Sequence, residues 1–144
     1  MCLDLMDQEQ MVALRWYSTV VDCLDVSAQA NWWATALGWK KAYEADDEVV
    51  LVPQPATLEL LQSLPWEQVP PGLVFVPVPE GKSGKNRLHL DLAPHTSNDR
   101  DAEIARLIAA GATPVNIGQE DSATWLVLAD PEGNEFCVLS ARDR

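Results

Sequence analysis

Thr124-Trp125-Leu126-Val127-Leu128-Ala129, then Asp130-Pro131-Glu132-Gly133-Asn134, then Glu135-Phe136-Cys137-Val138-Leu139 is the stretch on which the fold turns. The two flanks are short apolar runs that read as strands, and the middle is a turn, with Pro and Gly supplying the backbone angles. Alone, Asp-Pro-x-Gly-Asn marks a turn and nothing more. Between two strands it predicts an antiparallel pair with two faces. Phe136 and Val138 then share the covered face, while Glu135 and Cys137 point to the other. By the same alternation Trp125 shares a face with Val127, opposite Leu126 and Leu128.

Upstream of this hairpin the same order of elements occurs twice. Arg87 to Leu92 alternates as a strand, Asn98 to Ala110 has Ile104, Leu107 and Ile108 at helical spacing, and Thr113 to Ile117 is extended. Ser97 or Asn98 is the expected N-cap and Gly111 the stop. In the first half, Tyr17 to Cys23 reads as a strand and Val26 to Leu37 as a helix, capped by Asp25 or Ser27 and closed by Gly38. Trp39 to Glu44, Glu48 to Val52 and Leu73 to Val78 follow as extended segments. Each half is therefore strand, helix and three strands, an α+β pattern of two βαβββ modules spanning about residues 17–79 and 86–140 within a domain of 17–144. Residues 1–16 form an N-terminal extension, either a short helix over Gln8 to Arg15 or disordered. The five prolines between Pro53 and Gly72 indicate a loop with one helical turn.

Composition narrows the function. The 144 residues carry 10 Lys and Arg against 22 Asp and Glu, a formal charge of −12. Such a surface repels phosphate backbones and anionic lipid, so neither nucleic acid nor a membrane is expected as a partner. No apolar run reaches the ~18 residues that cross a bilayer. The N-terminus lacks a basic start, and three cysteines without C-x-x-C suit reduced thiols, so a cytoplasmic location is expected.

Three stretches resemble the vicinal oxygen chelate superfamily of glyoxalase, bleomycin-resistance and extradiol-dioxygenase proteins, and its glyoxalase-like branch in particular. They are Asp22-Cys23-x-Asp25 with Trp32-Trp33-x-x-x-Leu37-Gly38-Trp39; Lys82-x-x-Lys85-Asn86-Arg87-x-His89-x-Asp91; and Trp125-x-x-x-x-Asp130-Pro131-Glu132-Gly133-Asn134-Glu135-Phe136. The resemblance implies a glyoxalase-like open barrel with one cleft, a homodimer, and metal ligands on the first and last strands of each module. His89 and Glu135 match the second-module ligand positions. The ion would be one divalent metal, Zn²⁺, Ni²⁺, Fe²⁺ or Mn²⁺, with Glu135 as the proton-moving group. The first module offers Ser18 and Val76 or Pro77 at the corresponding places, none of which replaces a His or a carboxylate.

Several readings stay open side by side. In one, the cleft holds a small hydrophobic or aromatic molecule against Trp125, Asp91, Ser18 and Asp22, beside a degraded or atypical metal site. In another, the chain is a divalent-metal-dependent lyase, isomerase or dioxygenase acting on an oxygenated substrate. A third makes the cleft a vestige, with His89 and Glu135 a hydrogen-bonded pair. Lys82, Lys85 and Arg87 read as a solvated turn between modules, Cys23 as a buried small hydrophobe, and Trp33 as core.

Overall fold

The computed structural model describes residues 13–54, 57–116 and 126–144. In the first half, β1 (Ser18–Cys23), α1 (Val26–Leu37), β2 (Lys40–Ala45), β3 (Glu48–Val52) and β4 (Gly72–Pro77) follow in order, with a short helix α2 (Leu58–Ser63) and a 3₁₀ turn (Trp66–Gln68) before β4. In the second half come β5 (Asp91–Leu92), α3 (Arg100–Ala109), β6 (Thr113–Pro114), β7 (Leu126–Ala129) and β8 (Glu135–Val138). The strands form two four-stranded sheets, β1-β4-β3-β2 and β5-β8-β7-β6. In each, the first strand lies parallel to the last and the remaining pairs are antiparallel. The two expected βαβββ modules are present, and the sheets stay separate ladders, so the barrel is open.

Local chemistry explains the helix limits. The Asp25 carboxylate accepts from the Ala28 N–H at the start of α1, and Gly38 ends it at φ +67°, the left-handed region that glycine enters without strain. At α3 the cap is Asp99, whose carboxylate accepts from Ala102 N, rather than the expected Ser97 or Asn98. Ser97 instead bonds His95 Nδ1. All three consecutive residues are good caps, and the next turn starts only at Arg100. Residues 8–12 of the proposed N-terminal helix, together with Trp125 and Ile117, lie outside the described residues.

The core is shared by both halves. Trp32 and Trp33 of α1 pack on each other and on Phe136 of β8, with ring centroids 5.1–5.8 Å apart at steep angles, the edge-to-face geometry aromatic quadrupoles favour. Leu107, Leu128 and Val138 join the same cluster as Val49, Leu51, Leu73 and Phe75. Two expectations about this core need correction. Alternation over Arg87 to Leu92 puts Leu88 on one face with Leu90 and Leu92, yet it is 89% exposed, because pairing begins only at Asp91 and the strand does not reach back to it. Ile108 is 40% exposed, since Leu107 occupies the buried stripe of α3 at 4% and its neighbour is turned outward. Among the described residues, no helix is long and apolar enough to cross a membrane.

Candidate functional site

The parallel pairing of β5 with β8 places Asp91 opposite Cys137 and Leu92 opposite Val138. Leu90, Leu92, Phe136 and Val138 belong to the core, so alternation sends Asp91, Glu135 and Cys137 to the other face, and His89 meets Asp91 there. On β1, Val21 and Cys23 pack on the core, which leaves Ser18, Val20 and Asp22 on the opposite face. On β8 the core membership of Phe136 and Val138 matches the face that alternation gives them.

Three of these groups meet. His89 Nε2 lies 3.1 Å from Asp91 Oδ1. The ligand atoms of His89, Asp91 and Cys137 all fall within 4.8 Å of one another, and among the described residues this is the cluster of His, Cys and acidic side chains with that closeness. Burial pushes the Cys137 thiol above its ordinary range, and the charge and hydrogen bond of Asp91 push the same way against Lys85. Both Cys137 and Cys23 are free thiols.

Glu135 has different company. Its carboxylate accepts from Lys82 Nζ at 3.1 Å and from the Asn86 backbone N–H at 3.3 Å, while the Asn86 side chain donates to the Glu135 carbonyl. Burial alone would raise its pKa, but the hydrogen bonds from its own backbone, Lys82 and Asn86 outweigh that and hold the carboxyl below its ordinary range. Glu135 is thus an ionised carboxylate that already holds a cation. Lys82, expected in a solvated turn, is part of that pair and also donates to the Gly84 carbonyl. In the first module, Ser18 pairs through its backbone with Gly72, and Asp22 with Val76, which carries no ligand atom. A metal held by one ligand from each terminal strand finds no donor on β4, and its carboxylate on β8 is engaged by an ammonium. An ion held by His89 and Glu135 would have to displace Lys82 from the Glu135 carboxylate.

The Asp-Pro-x-Gly-Asn turn proves to be an internal brace. Asp130, 3% exposed, accepts from the Glu132 and Asn134 backbone N–H groups, from the Asn134 amide, from Gln29 Nε2 at 2.5 Å and from Trp33 Nε1 at 3.0 Å. Glu132 reaches the other half directly, accepting from the backbone N–H groups of Leu24 at 2.7 Å and Asp25 at 3.0 Å. Sequence reasoning missed both roles. The available signal was Gln29 and Trp33, one helical turn apart on the core stripe of α1, whose N–H groups require a buried acceptor.

Between the brace and β1 lies a cavity of about 390 Å³. Val20, Val21, Trp33, Val78, Leu88 and Leu90 form apolar walls, and Asp22 and Glu80 add acid groups. Of the residues singled out from sequence, Asp22, Trp33 and Lys82 line this space, whereas Ser18, His89, Asp91 and Glu135 do not, and Trp125 is outside the described residues.

The two βαβββ modules give the fold of glyoxalase-like proteins. The chain belongs to the glyoxalase-like domain family, whose model matches residues 18–139. Solved structures similar to it include a glyoxalase/bleomycin resistance protein/dioxygenase family enzyme from Burkholderia phytofirmans PsJN, with TM-score 0.65, 18% identity, and 89% of this chain and 99% of that one covered. A bleomycin-binding protein from Streptomyces verticillus, complexed with copper(II)-bleomycin, aligns with TM-score 0.55 and 16% identity over 92% and 100% of the chains. A genomically encoded fosfomycin resistance protein from Listeria monocytogenes, complexed with Mn(II) and a dihydroxypropylphosphonic acid, aligns with TM-score 0.63 and 8% identity over 91% and 92%. At these identities the likeness is one of fold. No curated protein matches the sequence.

Proposed function

We propose that the protein binds a small hydrophobic or aromatic molecule at the seam between its modules. The observation that carries this is the 390 Å³ cavity, whose apolar walls include Trp33, Leu88 and Leu90. Cavities of this size suit small ligands when a few polar groups fix orientation. Asp22, Glu80, Asp130 and Glu132 outnumber Lys82 in the lining, and with a net charge of −12 the field disfavours anions, so neutral or cationic aromatic compounds are the expected class. The bleomycin-binding relative supports sequestration as a use of this fold. Ser18, Asp91 and Trp125 are proposed to extend the contact surface, and the working form is a cytoplasmic homodimer.

A thermal-shift screen of neutral, cationic and anionic aromatic compounds, run in the presence of chelator, tests the reading. Stabilisation follows ligand affinity by mass action. A concentration-dependent shift with neutral or cationic compounds, lost in Leu88→Asp and weakened in Trp125→Ala, is expected. Leu88 is exposed, so that substitution spares the core. Shifts confined to anionic compounds, or untouched by Leu88→Asp, would overturn the assignment.

A metal-dependent lyase, isomerase or dioxygenase is the second reading, with His89 and Glu135 as ligands and Glu135 as proton carrier. The Mn(II)-bound relative favours it. In that case compounds would stabilise the protein only with added Zn²⁺, Ni²⁺, Fe²⁺ or Mn²⁺, and His89→Ala and Glu135→Ala would each abolish the effect.

A further inference from the structure

Building on the seam-binding reading, we infer that Lys82 is the specificity-determining group of the cavity, and that the ligand it selects is a neutral aromatic compound carrying a carbonyl oxygen.

Lys82 is the one cation in the cavity wall among the described residues. Its stem passes the Asp-Pro-x-Gly-Asn turn, since a Cβ on Gly133 would stand 3.9 Å from Lys82 Cδ. An ammonium carries three N–H donors. One goes to the Glu135 carboxylate at 3.1 Å and another to the Gly84 carbonyl. One donor is therefore left over. The side chain is 21% exposed, and a hydrogen bond made in such partly dry surroundings is stronger than one made in water. Asn86, beside it in the wall, gives one amide N–H to the Glu135 carbonyl and keeps the other. The Trp33 indole N–H is already spent on Asp130.

Charge decides which acceptor fits. Glu135 is ionised and lies against the ammonium, so the pair has no net charge to offer an anion. A carboxylate ligand would meet the charges of Glu135, Asp22 and Glu80 together. A ligand ammonium has no acceptor for Lys82 at all. A carbonyl oxygen takes the spare N–H without repulsion, while its aromatic body stays against Val20, Trp33 and Leu90.

Equilibrium dialysis of the full chain, with chelator present, tests this against acetylnaphthalene, ethylnaphthalene and naphthoate substituted at the same ring position. The ketone and the hydrocarbon share a ring and differ in the acceptor oxygen. Lys82→Met is expected to weaken the ketone about tenfold, the worth of a hydrogen bond to a charged group, and to leave the hydrocarbon within about twofold. Glu135→Gln keeps an acceptor for Lys82 but removes its counter-charge, so naphthoate should bind about tenfold more tightly than to wild type. The double variant Lys82→Met, Glu135→Gln removes the ammonium without leaving a lone carboxylate, and should show the ketone loss should Lys82→Met fail to fold. A ketone weakened no more than the hydrocarbon, or naphthoate unchanged in Glu135→Gln, would overturn the role of Lys82 and leave the seam site standing. Failure of both ketone and hydrocarbon to bind the wild type would remove the seam site and the role of Lys82 together.

Discussion

Asp130 shows how much one buried carboxylate can organise. Five donors converge on it, two from the hairpin backbone and three from side chains. Replacing it with alanine leaves Gln29 and Trp33 with buried N–H groups and no partner. Each such group costs about 1–3 kcal/mol, so Asp130→Ala should lose roughly 2–6 kcal/mol, readable as a lower urea midpoint. A loss under about 0.5 kcal/mol would mean that water replaces the carboxylate. Cys23 offers a second check at this scale. Burial, then the charges of Glu132, Asp25, Asp130 and Asp22, push its thiol from 9.0 up to about 11. The folded state keeps this proton where the unfolded chain gives it up. Its stabilising contribution is therefore complete below pH 9 and is lost as pH rises towards 11. Cys23→Ala should flatten the fall in stability across that window in pH-dependent denaturation; an unchanged slope would assign the fall to other groups.

Among the elements, α3 gives a paired comparison. Leu107→Ala should cost about 2–5 kcal/mol through lost burial and a cavity, whereas Ile108→Ala, one residue on, should cost under about 1 kcal/mol. Equal effects in chemical denaturation would mean that the helix is rotated. The same helix marks a limit of sequence reasoning. Periodicity put Ile104, Leu107 and Ile108 on one stripe, but a stripe that wide does not say which edge residue the neighbours cover. The bounds of α1 were legible because Asp25 and Gly38 are both strong local signals. Arg87 to Leu92 alternates as well as any strand in the chain, yet only Asp91–Leu92 pairs. Alternation reports a preference, and a ladder requires a partner strand. For the site, side-chain faces were legible on β5 and β8, but partners were not. That Glu135 meets Lys82, and that Asp91 meets Cys137, depends on how distant segments align, which no local pattern encodes.

At the scale of the whole molecule, the exposed aromatic residues bear on assembly. Trp16, Tyr17 and Trp66 are each more than half exposed, and the Arg15 guanidinium lies over the Tyr17 and Trp66 rings at 4.6 Å and 3.9 Å from their centroids. Aromatic groups and arginine are the residues that interface cores favour. For the proposed homodimer, light scattering should give twice the chain mass at micromolar concentration, and Trp66→Asp should shift it towards the monomer. A monomer at all concentrations would remove that proposal. Within one chain, the brace has a different consequence. Asp130 takes its donors from α1, and Glu132 takes its own from the backbone where β1 hands over to α1. Were the polypeptide cut between the halves, the first would keep an indole and an amide with no acceptor, and the second a carboxylate with nothing to hold. Although the modules look like copies, each satisfies buried polar groups of the other, so neither half is complete by itself.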